Sequence, residues 1–183
     1  MNTSKLLITL LFALSLGLVA CDDEDDNRPA VPQEYTLQAV GVATATPVET
    51  TLEGIDLEVA GNAFVMDFFD KQTGKRLGTL TDINVAGETF EDGSMDAENY
   101  TVFTFEDDNS TLILHNFIKM TPIDQVTLRA VIPAAKTKYN VIGGTGRFAG
   151  ATGGSTLDAT LDMTQFAQGT IGFDCTYGVT IAN

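Results

Sequence analysis

Basic side chains are scarce: ten Lys and Arg stand against 25 Asp and Glu, a net charge of −15 in 183 residues. A nucleic-acid surface needs clustered Lys and Arg to meet phosphate, so that class of partner is excluded. Histidine occurs once and cysteine twice, too few for a multi-cysteine zinc site or a disulfide framework. No window of useful length carries a 3.6-residue apolar stripe, and no internal repeat or second domain is visible. What is present is apolar mass. At 44% hydrophobic residues the chain is no disordered polyanion and can build one core.

The first twenty residues, MNTSKLLITLLFALSLGLVA, hold a positive Lys5 and an apolar stretch from Leu6 to Val19. That stretch is shorter than the roughly 20 residues of a spanning helix and reads as a secretory signal. The following Leu18-Val19-Ala20-Cys21 resembles the lipobox of bacterial lipoproteins. There, a signal peptidase cuts before the cysteine and the thiol carries diacylglycerol. The resemblance implies cleavage between Ala20 and Cys21, lipidation of Cys21 and anchorage to the cell envelope by acyl chains. The alternative is a plain signal peptide with a cysteine near its cleavage site. Removing residues 1–20 takes away Lys5 and no acid, which moves the net charge to −16.

Five acids follow Cys21 at once, Asp22 to Asp26, and then Asn27-Arg28-Pro29-Ala30-Val31-Pro32. Such a run repels itself and extends, so residues 21–33 read as the lipidated cysteine and an acidic tether. An acidic cluster beside the lipidated cysteine also resembles the export signal of surface lipoproteins in some Gram-negative bacteria. It implies an outer-membrane protein facing the cell surface. The two readings, spacer and sorting signal, stay open.

From Glu34 the period is two. Ile171, Phe173, Cys175, Tyr177, Val179 and Ile181 alternate with Gly172, Asp174, Thr176, Gly178 and Thr180, a half-buried strand. Leu157 to Met163 behaves alike, and the short Thr164–Gly169 link suits an antiparallel hairpin. Further strands are expected over 35–42, 63–69, 76–85, 100–106, 111–120, 126–132 and 139–142. Turn chemistry separates them at Lys71–Gly74, Glu91–Ser94 and Asp107–Ser110. Many short strands with one polar face point to an all-β domain over 34–183, a closed antiparallel barrel or sandwich.

Residues 139–154 read YNVIGGTGRFAGATGG. A dinucleotide fold would need a helix after these glycines, and Gly153-Gly154 followed by period-two residues denies it. Consecutive glycines instead suit a sharp bend at a barrel rim, with Phe148 folded back as a plug. The stretch resembles the loop shared by the allene oxide cyclase and dirigent families, through Val141, Gly143, Gly144, Thr145, Gly146, Phe148 and Ala151, with Gly150 between them. Phe68–Asn84 and Tyr100–Phe117 resemble further strands of those families, so the likeness runs from about Ala63 to Ile181. It implies a closed barrel of about eight strands around a hydrophobic cavity, often assembled as a homotrimer. The catalytic residues of those families find no match here, because the strand from Glu34 to Val40 does not reproduce their local pattern. Glu34 stands at the mouth of that strand.

The remaining candidates have weak surroundings. His115, on Leu112–Phe117, has no orienting carboxylate in sequence reach and reads as a polar-face residue. Asp67 and Asp82 interrupt apolar strands; they are expected to point outward, with Asp82 capping a turn, although a cavity acid is the alternative. Cys175 reads as a buried structural thiol. Asp92, Ser94, Asp96 and Glu98 alternate oxygen ligands without the glycine or closing Glu of a calcium loop, so no metal or cofactor is expected.

The inward set should include Phe103, Phe105, Leu112, Leu114, Leu157, Leu161, Phe173, Tyr177 and Val179. An eight-stranded barrel is either filled by side chains or holds one small ligand. A small apolar pocket near one rim is expected, touched by Phe103, Phe105 and Phe173, with Tyr177 as its polar handle. The function this predicts is non-enzymatic binding of a small apolar ligand or a partner. The alternative is a cyclase-like or dirigent-like isomerase, which converging carboxylate, Tyr and Asn groups would favour.

Overall fold

The computed structural model describes residues 32–182. The apolar leader, Cys21 and the acidic run lie outside them. Ten strands form one antiparallel sheet: β1 (Gln33–Thr44), β2 (Thr46–Leu52), β3 (Leu57–Asp70), β4 (Arg76–Thr89), β5 (Met95–Phe105), β6 (Thr111–Pro122), β7 (Thr127–Val131), β8 (Val141–Gly144), β9 (Thr152–Asp162) and β10 (Thr170–Ala182). Eight of them follow one another as β1-β10-β9-β7-β6-β5-β4-β3, and a β1–β3 pairing closes the ring. The closing contact is short, Leu37 with Asp70, Gln38 with Phe69 and Ala39 with Phe68. By contrast β1 lies against β10 along its whole length, from Gln33 opposite Ile181 to Thr44 opposite Thr170. The chain is thus all-β, as its alternation predicts.

That alternation decides what lies inside. On β5, Ala97, Asn99, Thr101, Phe103 and Phe105 are buried while the residues between them are not. All members of the expected inward set are buried except Phe173, which is half-buried against the core.

The positions between them build a second, smaller core on the outer face. Ala63, Ile83 and Ile113 pack there with Leu52 and Val59, and with the partly buried Ile55, Tyr100 and Val102. The β2–β3 hairpin supplies the cover. Its strand β2 was not foreseen, because Thr46-Pro47-Val48-Glu49-Thr50-Thr51-Leu52 has little apolar content and a proline. It pairs only with β3, and an edge strand tolerates both. The β4–β5 hairpin also runs further than expected, to Thr89 and from Met95, past an irregularity between Asn84 and Ala86. β1 begins at Gln33, a residue earlier than the expected tether boundary.

The glycine loop has two neighbours. At its end, Phe148 is buried with its ring 5.1 Å from Phe105 and 6.1 Å from Tyr35, so the expected plug is in place. Arg147 lies 4.5 Å over the Phe105 ring and pairs with Asp107 and Asp108 at 2.9 and 3.0 Å, sealing this end. Over β8 passes the tip of the β2–β3 hairpin. A Cβ on Gly54 would stand 2.3 Å from the Gly144 carbonyl oxygen, and one on Gly143 would stand 2.5 Å from Ile55 Cγ2. The glycines therefore serve as a seat for the hairpin as well as a rim.

Candidate functional site

The two ends of the ring are packed differently. At the glycine-loop end Phe68, Phe103 and Phe105 fill the interior, with ring centroids 5.0 and 5.1 Å apart, all essentially inaccessible. Tyr177 meets Phe103 edge-on at 5.3 Å. Beyond Tyr177 the inward positions become small: Ala97 on β5, Ala130 on β7 and Ala159 on β9. Side chains of that size cannot meet across the ring, and a cavity of about 240 Å³ remains, opening between the β4–β5 and β9–β10 turns. Phe64, Phe173, Met66, Leu157 and Leu161 give it apolar walls, and Phe166 stands exposed at its mouth.

Into this apolar cavity reach Asp82, Asn84, Asn99, Tyr177 and Cys175. Asp82 is inward because it shares the parity of Leu80 on β4, which corrects the expectation that it faces solvent or caps a turn. Thr101 Oγ1 donates to its Oδ1 at 2.6 Å, and Asn99 Nδ2 donates to its Oδ2. Behind these stand further amides. Asn84 donates to Asn99 at 2.9 Å, Asn116 donates to Thr101 at 2.9 Å, and Asn140 donates to Asn116 at 2.9 Å. Burial raises the Asp82 carboxyl above its ordinary value, and the hydrogen bonds from Thr101 and Asn99 pull partly back. Burial likewise holds the Tyr177 hydroxyl well above its usual value, aided by Cys175 and Asp82 nearby, and pushes the Cys175 thiol up to about 12. At neutral pH Tyr177 and Cys175 are therefore neutral.

Phe173 and Tyr177 line the cavity, whereas Phe103 and Phe105 belong to the filled end beneath it. Glu34 is exposed near the filled end, away from the cavity. Asp67 points outward and pairs with Arg76 at 2.9 Å; that hydrogen bond holds its carboxyl below the ordinary value. His115 sits on the outer face, stacked on Tyr100 at 4.5 Å, with Glu98 Oε1 2.8 Å from its Nε2. The carboxylate absent from its local sequence comes from the neighbouring strand. Asp92 accepts from the Ser94 amide and hydroxyl at 2.9 and 2.6 Å, a turn rather than an ion site. Among the described residues no three or more metal-binding side chains gather. Cys175 is a buried free thiol.

The raised Asp82 carboxyl has a consequence for stability. Folding favours its protonated form, so its contribution is fully present below the ordinary carboxylate range and is lost as pH rises through the raised value. The turn carboxylates Asp70, Asp92, Asp108 and Asp162, lowered by Ser and Thr hydrogen bonds, act oppositely and lose stability as pH falls. Comparison with Asp82→Asn cancels the latter. The unfolding free energy of the variant relative to the parent should climb as pH rises above the ordinary carboxylate range in denaturant titrations. A flat difference would show that the carboxyl carries no buried-charge cost.

No protein-family profile matches the chain, and no curated protein matches it.

Proposed function

We propose that the ring is a barrel of the allene oxide cyclase/dirigent-like kind, carried by an exported, lipid-anchored protein, and that it binds a small, mainly apolar molecule without transforming it. The half-filled interior carries this reading: one end is packed solid with phenylalanine while the other leaves about 240 Å³ behind alanine-sized side chains. A core under selection for stability alone would fill that space, since each missing methylene costs packing energy. Small apolar molecules should raise the melting temperature of the purified full-length chain, while nucleotides and divalent metal ions leave it unchanged. A screen in which no apolar molecule shifts melting would remove the binding reading.

A second reading has its own support. Asp82, Asn99 and Tyr177 converge on the cavity, the polar set that a cyclase-like or dirigent-like isomerase would need for proton transfer. Turnover of a reactive apolar substrate, abolished in Asp82→Asn with binding retained, would establish it.

For the anchor, the support is the Leu18-Val19-Ala20-Cys21 motif after an apolar leader. Cys21→Ser should abolish acyl-chain labelling; equal labelling would dismiss the lipoprotein reading. The chain enters the ring at Gln33, beside the filled end, whereas the cavity opens near Ala45 at the far end of β1. A tether at Cys21 would thus hold the mouth away from the lipid surface.

A further inference from the structure

The hydrogen bonds around Asp82 have a direction, and backbone groups fix it. Asn84 Nδ2 donates to the Ala86 carbonyl at 3.2 Å, and a carbonyl can only accept. Asn84 therefore presents its amide nitrogen to Asn99 Oδ1, which leaves Asn99 Nδ2 as the donor to Asp82. The other chain starts at the Ser155 backbone N–H, which donates to Asn140 Oδ1 at 2.6 Å and can only donate. Asn140 Nδ2 must then donate to Asn116, Asn116 Nδ2 to Thr101, and the Thr101 hydroxyl to Asp82. Two separately anchored chains thus deliver one donor to each carboxylate oxygen.

This arrangement suits an acceptor-only group. An ionised carboxylate offers about four acceptor positions, and the wall occupies one on each oxygen. Asp82 lines a cavity that, among the described residues, has no Lys or Arg in its walls. Phe64, Phe173 and Tyr177 also line it, and an aromatic face attracts a cation. The deficit in the cavity is a positive group.

Building on the proposed binding function, we propose that the cavity takes a small organic amine, its ammonium head on Asp82 and its apolar body against Phe64, Phe173, Leu157 and Leu161. A carboxylate would be a buried anion in a lining with no cation to pair it and is rejected. Burial disfavours the free Asp82 anion, and an ammonium partner offsets that penalty, so binding favours the ionised form.

The test uses four monosubstituted benzenes of similar size on the full-length chain at neutral pH, by calorimetry: benzylamine, toluene, acetophenone and benzoate. Benzylamine should bind at least about tenfold tighter than toluene, and benzoate should not bind. Asp82→Asn should bring benzylamine down to the toluene level. If that variant does not fold, the pH titration of the Asp82 side-chain carboxyl carbon resonance in labelled parent protein gives a second readout, its midpoint moving to lower pH on benzylamine addition and staying put if the amine does not meet Asp82. Toluene or acetophenone binding as tightly as benzylamine would overturn the amine assignment while leaving the cavity a binding site. If none of the probes binds, the binding function and the amine assignment fall together.

Discussion

Phe103→Ala should lower the unfolding free energy by about 3–5 kcal/mol. Phe103 is wholly inaccessible, wedged between Phe68 and Tyr177, so its loss leaves a void in the filled end. Phe173→Ala removes the same atoms from the opposite end. There the ring is half-buried, its main aromatic neighbour is Phe64 at 5.4 Å, and one side already faces the cavity. Its loss should cost about 1–2 kcal/mol, since fewer contacts disappear and no new void closes around it. Urea denaturation of both variants provides the comparison. Equal losses would mean that the two ends are packed alike, contrary to the division into a filled and an open half.

Gly54→Ala should damage the tip of the β2–β3 hairpin. Its φ of +91° is costly for any L side chain, and the added Cβ would lie 2.3 Å from the Gly144 carbonyl oxygen. Backbone on both sides leaves nothing flexible to yield, so the hairpin tip must lift. A loss of about 2–3 kcal/mol is expected, concentrated on the outer face. Hydrogen exchange should quicken in β2 and the first half of β3, and the outer cluster of Ile83 and Ile113 should gain solvent, while β9 and β10 keep their protection. Uniform loss of protection would instead show that hairpin and ring unfold as one unit.

Strands whose two faces differ in polarity were legible from sequence. In β10 every second residue from Ile171 to Ile181 is apolar and its neighbours are polar or glycine, so face and register follow directly. β4 resists the same reading. Leu80, Asp82 and Asn84 face inward and Thr79, Thr81 and Ile83 outward, so neither face is cleanly apolar. The outward Ile83 is buried by a hairpin that sequence periodicity cannot anticipate, and the inward Asp82 is satisfied by partners from β5. That is why alternation alone sends the cavity acid to solvent. Asn99 and Asn116 were missed for the same reason, although each shares its strand parity with buried Phe or Leu residues. Tyr177 and Phe173 are legible because they lie on a strand where alternation is unambiguous.

The long β1–β10 ladder also governs how the molecule assembles in time. Residues 33–44 are among the first of the described chain to be made, and their main partner, residues 170–182, comes last. Until that final strand emerges, β1 has only its three-pair contact with β3, and β9 offers a bare edge. Pairings so distant along the chain carry the loop-closure entropy that slows folding. The ring should consequently form late and in one cooperative step, and a chain stopped before Thr170 should keep two unpaired strand edges and self-associate.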